Sequence, residues 1–302
     1  MRDFPKEPDL PESEQTTGSM NLRYEDVSQD GRLMLEALTH GFGPTLWTKH
    51  ATSSGVGVGA MIAQGVLPIL TGLILEGGPG PIGLRHPLAL RGSDRLAHTV
   101  DAAGEIDRLM LLGWVTATGR RARAYGPPPP GAGEPVPVGR AFAEHVFTRL
   151  FAAPADRKVR RFEGIEGFPP VPPDRYEWCP PEALLDLPEG AEPLEPAPAP
   201  DPAEVAFGVD HTDSNQHVNS LVYPRLFLDA ALRRFAALGR PTALIAHRAE
   251  IAYRKPCFAG DRARLVLRAF ALGERLGAVG AFISNADPAA RPSCTVRALF
   301  VP

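Results

Sequence analysis

The sequence predicts an α+β protein made of two similar halves, in each of which a long helix is wrapped by an antiparallel sheet. The main observation is an internal repeat: residues 80–100 (GPIGLRHPLALRGSDRLAHTV) resemble residues 249–270 (AEIAYRKPCFAGDRARLVLRAF). Both segments carry Arg, a basic residue and Pro, then a turn with Gly and Asp-Arg, then an alternating strand. A helical pattern precedes each copy, at 31–42 and at 220–238, and further apolar strands follow.

The chain length of 302 residues is sufficient for two domains of ordinary size. The formal net charge of -3 gives no reason to expect a nucleic-acid partner. Three widely spaced cysteines fit a reducing compartment better than a disulfide framework. The polar N-terminus has no signal-peptide pattern and no apolar stretch is long enough to span a membrane, so we expect a cytoplasmic protein.

Two proline-rich stretches, at 126–138 and at about 168–202, separate the two halves. Between them, Phe142, Val146, Phe147 and Leu150 have helical spacing, which predicts a short helix within 140–151. The expected organisation is a disordered N-terminal segment, an N-terminal domain, a proline-rich linker with that helix, and a C-terminal domain, at 1–19, 20–125, 126–202 and 203–302 respectively.

A glycine-rich segment at 55–60 (GVGVGA) follows polar residues rather than an apolar strand. The strand-loop-helix context of a dinucleotide site is therefore missing, and we expect a flexible loop. The positions of His, Cys, Asp and Glu show no metal-ligand spacing. The sequence therefore predicts neither a metal nor a cofactor.

The most informative segment is DHTDSNQHVNSLVY at 210–223, which leads directly into the second predicted helix. Residues Leu221, Val222, Leu226, Phe227, Ala230 and Ala231 are the expected buried face of that helix. A carboxylate, an amide and an imidazole, from Asp213, Asn215 and His217, can activate water close to a helix N-terminus, where free N–H groups stabilise an oxyanion. The alternative is a capped helix with a polar lead-in, because Asp, Ser and Asn are good N-cap residues.

The run DSNQHVNSLVY resembles the D-x-N-x-H-V-N-x-x-x-Y signature of acyl-acyl carrier protein (acyl-ACP) thioesterases, which have two hotdog domains. The segment EIAYRKPCFAGDRARL resembles the strand that follows the helix in that family, usually with Y-R-x-E-C. The resemblance implies a tandem hotdog fold and hydrolysis of acyl thioesters. It implies catalytic roles for Asp213, Asn215 and His217, and it makes Asn219, Tyr223 and Cys257 candidate substrate-binding residues, with helix-start and packing roles as the alternative.

The chain departs from that family pattern at one position. Pro256 stands where the family often has Glu before Cys257, so a carboxylate is missing there. Either Asp213 suffices, or Glu250 replaces the missing carboxylate from the same strand, or the activity is altered. Pro224, directly after the signature Tyr, is expected to kink or delay the helix.

The first half carries DVSQDGRLMLEAL at 26–38 where the second half has its motif, without the Asn and His, so we expect a degenerate site there. The resemblance implies an acyl-ACP or acyl-CoA substrate and a fatty or polyketide-type acid as product. Arg254, Arg262 and Arg264 are candidate contacts with the carrier's acidic surface or phosphate. The two halves are expected to pair within one chain, as a monomer or a homodimer.

Three other functions stay open from the sequence. A double-hotdog hydratase or dehydratase uses Asp, Asn and His, but with an Asp-x-Asn-Pro-x-His spacing that this chain lacks. A non-catalytic acyl-binding or scaffold protein would explain the missing Glu. An acyltransferase would use the same site with an alcohol or amine in place of water.

Overall fold

The computed structural model describes residues 1–52, 61–165, 168–287 and 289–302. The glycine-rich segment at 55–60 lies outside these residues. The chain forms two compact units, which we call the N-terminal unit (Phe4–Thr71 and Gly77–Trp178) and the C-terminal unit (Met1–Asp3, Gly72–Glu76 and Cys179–Pro302). Within the described ranges, no helix is long and apolar enough to cross a membrane.

The N-terminal unit is an antiparallel sheet packed against a helical segment, as the hotdog expectation requires. Its strands are β1 (Thr16–Met20), the first part of β2 (Val66–Gly77), β3 (Leu88–Val100), β4 (Ile106–Arg120) and β5 (Pro135–Arg149). Strands β1, β3, β4 and β5 pair in that order. The helical segment comprises a 3₁₀ helix, one turn of π-helix and α1, at Leu35–Phe42, Gly43–Trp47 and Thr48–Thr52.

The helical segment approaches the sheet closely enough to require glycine in β3. A Cβ atom at Gly92 would lie 2.5 Å from the Cβ atom of Thr45, which is shorter than real contacts allow. Thr45 is fully buried, and its hydroxyl donates to the Gly41 carbonyl at 2.6 Å. The first helix predicted at 31–42 is thus found in part, as a 3₁₀ helix that begins at Leu35 and continues through the π-helical turn to α1, and the buried hydroxyl of Thr45 is satisfied where the segment meets the sheet.

The helix predicted within 140–151 is wrong, because this segment forms most of β5. Strand β5 pairs with β4 from Met110↔Val146 to Arg120↔Pro135. All seven residues from 141 to 147 are buried, because both faces of the strand are covered. A strand covered on both faces has a continuous apolar run without alternation, which spacing alone does not distinguish from a helix.

The predicted disorder at 1–19 and the predicted linker at 126–202 are also wrong. The Trp114 indole donates to the Pro5 carbonyl at 2.9 Å, and the Ser93 hydroxyl donates to the Glu7 carboxylate at 2.8 Å. The first proline-rich stretch connects β4 to β5, and the chain as far as Trp178 belongs to the N-terminal unit. Polar and proline-rich composition did not reveal these local contacts.

The C-terminal unit is a second antiparallel sheet packed against one long helix, α2 (Val222–Ala237). Its main strands are β9 (Ile245–Tyr253), β10 (Arg262–Leu272), β11 (Arg275–Ser284) and β12 (Cys294–Val301). They pair in the order β9, β12, β11, β10, and residues 72–76 of β2 pair with β9. The tandem hotdog fold expected from the sequence is confirmed.

Three short strands cover the outer edge of β10, namely β6 (Glu192–Pro193), β7 (Ala199–Pro200) and β8 (Val205–Ala206). They come from the second proline-rich stretch. Proline lacks an N–H donor and is tolerated in an edge strand where that position would face away from the neighbouring strand. Two ion pairs bind this stretch to α2, Arg233–Asp201 and Arg234–Glu195, each at 2.5 Å. The stretch therefore protects an edge that would otherwise be open to pairing with other chains.

The buried face of α2 differs in part from the predicted one. Its buried residues are Tyr223, Pro224, Phe227, Ala230, Ala231 and Phe235. Leu221, Val222 and Leu226, which were expected to be buried, are only half-buried. Pro224 neither kinks nor delays the helix, because it is the third helical residue, where the N–H has no partner within the helix.

The packing of Phe235 generates a stability prediction. Its ring is fully buried and meets the Phe300 ring edge-on at 5.2 Å. We expect Phe235→Ala to lower the free energy of unfolding by about 3–5 kcal/mol, because it removes this contact and leaves a cavity. Urea denaturation would measure the change. Arg225→Ala, at an exposed position on the same helix, is the control and should shift stability by less than about 0.5 kcal/mol.

The buried His145 generates a pH prediction. The ring contacts Trp47 edge-on at 5.2 Å, and its Nδ1 atom is buried without a partner among the described residues. Burial lowers the pKa of His145 from 6.5 to about 4. The unfolded chain therefore takes up this proton first, so stability is present above pH 6.5 and is lost as the pH falls towards 4.

We expect His145 to account for about 3 kcal/mol of that loss. His145→Leu should keep more of its stability than the native chain when both are denatured at pH 7 and pH 4.5. An equal loss in the two proteins would contradict the assignment, because the other titrating groups are shared.

Candidate functional site

The motif identified in the sequence forms a closed five-residue loop, 213–217, which residues 218–221 connect to α2. Thr212 and Val218 pair across its base, and the Asp213 N–H donates to the His217 carbonyl at 3.2 Å. Inside the loop, the Gln216 N–H donates to the Asp213 carbonyl at 2.9 Å. The backbone of this loop is thus fixed by its own hydrogen bonds.

The carboxylate of Asp213 joins the loop to the start of α2. Its Oδ1 atom accepts the Asn215 N–H at 2.8 Å, and its Oδ2 atom accepts the Asn219 side-chain amide at 3.0 Å. Asn219 in turn accepts the Leu221 N–H at 2.9 Å through Oδ1 and the Val222 N–H at 3.0 Å through its carbonyl. The N-cap residue of α2 is Leu221, with no side-chain capping bond, so the capping considered for 213–215 does not occur, and Asn219 instead fixes the turn that leads into the helix.

His217 and Asn215 complete the predicted catalytic set. His217 is half-buried, and its Nδ1 atom lies 3.1 Å from the Val218 carbonyl oxygen. If Nδ1 carries the proton and donates it to that carbonyl, Nε2 retains a lone pair. The Asn215 side chain is exposed. The described residues include no hydrogen bond between the Asp213 carboxylate and the His217 ring.

A second set of contacts holds the loop against the connection between β9 and β10. The Val218 N–H donates to the Cys257 carbonyl at 2.8 Å, and the Cys257 N–H donates to the Tyr223 hydroxyl oxygen at 3.2 Å. The Tyr253 hydroxyl donates to the Ser220 carbonyl at 2.9 Å. Sequence reasoning missed the role of Tyr253, although the downstream Y-R motif contains this residue.

Tyr223 and Cys257, two of the three predicted substrate-binding residues, are buried at 3% and 8% exposure. The Tyr223 ring packs against three aromatic rings, those of Phe207, Tyr253 and Phe282. Burial raises the pKa of the Tyr223 phenol, and the neighbouring Cys257 raises it further. Tyr223 thus stays neutral and positions the chain around Cys257. Its contact with substrate, and that of Cys257 and Asn219, stays a prediction.

Glu250 does not replace the missing carboxylate, because it lies on the other face of β9. Tyr253 contacts α2, and residues an odd number apart on a strand point to opposite faces. The fully buried carboxylate of Glu250 instead lies 3.4–3.8 Å from three arginines, Arg2, Arg248 and Arg297. Arg297 also donates to the Leu184 carbonyl at 3.3 Å. Glu250 is therefore part of a buried ionic cluster away from the loop.

Pro256 occupies an exposed position one residue before Cys257. The place of the family's Glu is therefore accessible but carries no ionisable group. In the part of the chain that the structure describes, no three His, Cys, Asp or Glu side chains lie together as a group that could hold a metal ion.

The N-terminal unit repeats the backbone of the motif loop with different side chains. At 28–32, the Ser28 N–H donates to the Arg32 carbonyl at 2.8 Å and the Gly31 N–H donates to the Ser28 carbonyl at 2.9 Å. Val27 and Leu33 pair across its base, as Thr212 and Val218 do in the other loop. The fourth residue has positive φ in both loops, 85° at Gly31 and 65° at Gln216.

The two loops generate a paired prediction. A left-handed conformation costs a non-glycine residue about 1–2 kcal/mol, so Gln216→Gly should stabilise the chain by up to about 1 kcal/mol. Gly31→Ala should destabilise it by more than about 1 kcal/mol, because the new Cβ would also lie 2.5 Å from the Pro81 Cβ. Urea denaturation of both variants measures the two shifts. Changes of the same sign would contradict the shared geometry.

Solved acyl-ACP thioesterases have the same fold as this chain. An acyl-ACP thioesterase from Bacteroides thetaiotaomicron superposes with a TM-score of 0.60 at 16% identity, over 96% of this chain and 99% of that one. The 12:0-ACP thioesterase from Umbellularia californica gives 0.58 at 12% identity, over 95% of this chain and 97% of that one. No protein-family model and no curated protein matches the chain by sequence. The chain has the double-hotdog fold of these thioesterases over nearly its whole length.

Proposed function

We propose that the protein hydrolyses acyl thioesters, acyl-ACP or acyl-CoA, and releases a free fatty or polyketide-type acid. One observation carries the proposal: the loop 213–217 presents a carboxylate, an amide and an imidazole from one rigid turn at the start of α2. Asp213, Asn215 and His217 are the proposed catalytic residues. The shared fold of two acyl-ACP thioesterases supports this assignment.

In the proposed reaction, Nε2 of His217 takes a proton from water as the oxygen attacks the thioester carbonyl carbon. The exposed amide of Asn215 donates to the carbonyl oxygen, which becomes negatively charged in the tetrahedral intermediate. The intermediate collapses with cleavage of the C–S bond, and the departing thiolate recovers the proton from His217. The products are a carboxylic acid and a free thiol, so no further reactant is required.

Asp213 has two parts in this proposal. Its hydrogen bonds to the Asn215 N–H and the Asn219 amide fix the loop. An ionised carboxylate has about four lone-pair positions, so two remain to orient the attacking water. Asn219 acts through Asp213 as a positioning residue.

A binding protein without catalysis is the second candidate, and Pro256 favours it. The family carboxylate expected before Cys257 is absent, and Glu250 lies on the opposite face of its strand. A binding protein would retain acyl thioesters without releasing thiol, and its affinity would not depend on His217.

We also propose that the protein acts in the cytoplasm. Its three cysteines, Cys179, Cys257 and Cys294, are all free thiols. Free thiols persist in reducing compartments and are uncommon in oxidising ones.

The proposal predicts the effect of removing each catalytic group. Thiol release from a panel of acyl-CoA and acyl-carrier thioesters should fall about 10²–10⁴-fold in kcat for His217→Gln, which removes the proton acceptor, and for Asp213→Asn, which removes the carboxylate that fixes the loop and orients the water. Asn215→Ala should lower kcat by about 10²-fold through loss of one oxyanion donor.

The control is Ser214→Ala, an exposed residue within the same loop, which should retain native kcat. Binding of a non-hydrolysable acyl-thioether analogue, measured for every variant, separates lost catalysis from lost folding. Wild-type protein that binds the analogue but releases no thiol would reject hydrolysis and support the binding protein.

A further inference from the structure

Positive charge is concentrated in one segment of the N-terminal unit. The thirteen residues 149–161 contain five basic residues and one acidic residue, although the whole chain has a formal charge of -3. The basic residues are Arg149, Arg157, Lys158, Arg160 and Arg161. We call this segment and Arg108 the basic patch.

The backbone of the patch is fixed against the ends of β4 and β5. Lys158 pairs with Thr148, and the Leu109 N–H donates to the Val159 carbonyl at 3.2 Å. The Val159 side chain is buried, so its extended neighbours Lys158 and Arg160 point the other way, into solvent. The fold thus directs basic side chains outwards from a rigid edge.

Two recesses lie at the patch. One has a volume of about 430 Å³ and is lined by Arg149, Ala155, Asp156, Lys158 and Arg160. The other, of about 330 Å³, lies beside the patch; its charged lining residues are Arg108, Arg175, Asp107 and Glu177, and its aromatic ones are Tyr176 and Trp178. Asp107 lies in the second recess and bonds to Lys158 of the first at 2.5 Å, so the two recesses adjoin.

Exposed apolar side chains lie beside these charges. Phe151 is 86% exposed and Leu150 is 43% exposed, both in the turn that follows Arg149. Trp178 is 48% exposed at the second recess. Arginine and aromatic residues together are characteristic of the residues that dominate protein–protein interfaces.

We propose that the basic patch is the docking surface for an acidic carrier protein that delivers the acyl thioester. This inference rests on the proposed function and adds the partner and its place on the chain. Guanidinium groups bind carboxylates in a bidentate geometry, which suits acidic side chains presented on a folded surface. Of the three candidates from the sequence, Arg254 and Arg262 already pair with Glu182 and Glu204, and Arg264 is exposed on β10.

A folded partner fits the patch better than a uniformly anionic surface such as a membrane. Asp107 and Asp156 lie among the basic groups, so the surface presents charges of both signs at fixed positions. Fixed charges of both signs select one register of a partner with discrete charges, whereas the carboxylates weaken attraction to a continuous negative surface.

The test compares one acyl group on three thiols: dodecanoyl-carrier protein, dodecanoyl-CoA and dodecanoyl-pantetheine. Arg149→Glu/Arg160→Glu should lower kcat/KM for the carrier substrate by about tenfold or more, mainly through KM, because both side chains line the first recess. Its kcat/KM for dodecanoyl-pantetheine should stay native. Phe151→Ser should also weaken the carrier reaction alone.

The matched control is Arg240→Glu/Arg275→Glu, which makes the same change in net charge at exposed positions of the C-terminal unit. An equal effect of the two double variants would overturn the proposal, because net charge alone would then explain it. A native kcat/KM for dodecanoyl-carrier protein in the patch variant would overturn the proposal too. If that variant also lost binding to anionic vesicles, the patch would be assigned to membranes instead. If kcat/KM for dodecanoyl-CoA fell as much as kcat/KM for the carrier substrate, the recess would bind a phosphate group and not a protein surface.

The proposed hydrolysis and the proposed docking surface can be rejected independently of each other. Wild-type protein that hydrolyses none of the three thioesters rejects the proposed function. Fluorescence anisotropy of labelled dodecanoyl-carrier protein then decides the docking surface by itself, because tighter binding by the wild type than by the patch variant supports it and equal binding rejects it.

Discussion

The hydrogen bond from the Asn219 amide to the Asp213 carboxylate is the contact on which the candidate site depends. Asn219 also accepts the Leu221 N–H, so one side chain fixes both the loop and the start of α2. The aromatic cluster around Tyr223 holds the same helix against its sheet, and Tyr223 in turn accepts the Cys257 N–H. The position of the proposed catalytic groups is thus set by packing of the helix and not by the loop alone.

The repeated loop separates what the fold determines from what the chemistry needs. The backbone hydrogen bonds at 28–32 and 213–217 are equivalent, yet the first loop has Arg32 where the second has His217. The geometry is therefore a property of the duplicated fold, and only the side chains distinguish a candidate site from a structural loop. Gln216 keeps a left-handed conformation where its counterpart is glycine, which is typical of a position held by its surroundings.

The sequence predicted the elements whose signals are local. The motif loop, α2 and the two-unit organisation follow from helix spacing and from the repeat. Strand β5 was missed because a strand buried on both faces has the apolar run of a helix. The repeat itself contained the correction, since β12 closes the second half where β5 closes the first. The contacts of the N-terminal segment were missed because polar sequence does not exclude specific hydrogen bonds to a sheet, such as that of Glu7 to Ser93.

The face of β9 on which Glu250 lies determines whether it can replace the carboxylate that is missing at Pro256. Glu250 is near Pro256 in sequence. Because side chains alternate between the two faces of β9, Glu250 points into a buried cluster of arginines, whereas Tyr253 faces α2. The only ionisable side chains within the loop itself are therefore Asp213 and His217. In the proposed reaction, proton transfer is assigned to His217, because both oxygens of Asp213 already accept hydrogen bonds and the contact of His217 Nδ1 with the Val218 carbonyl leaves the basic lone pair on Nε2. The proposed hydrolysis thus depends on a single base.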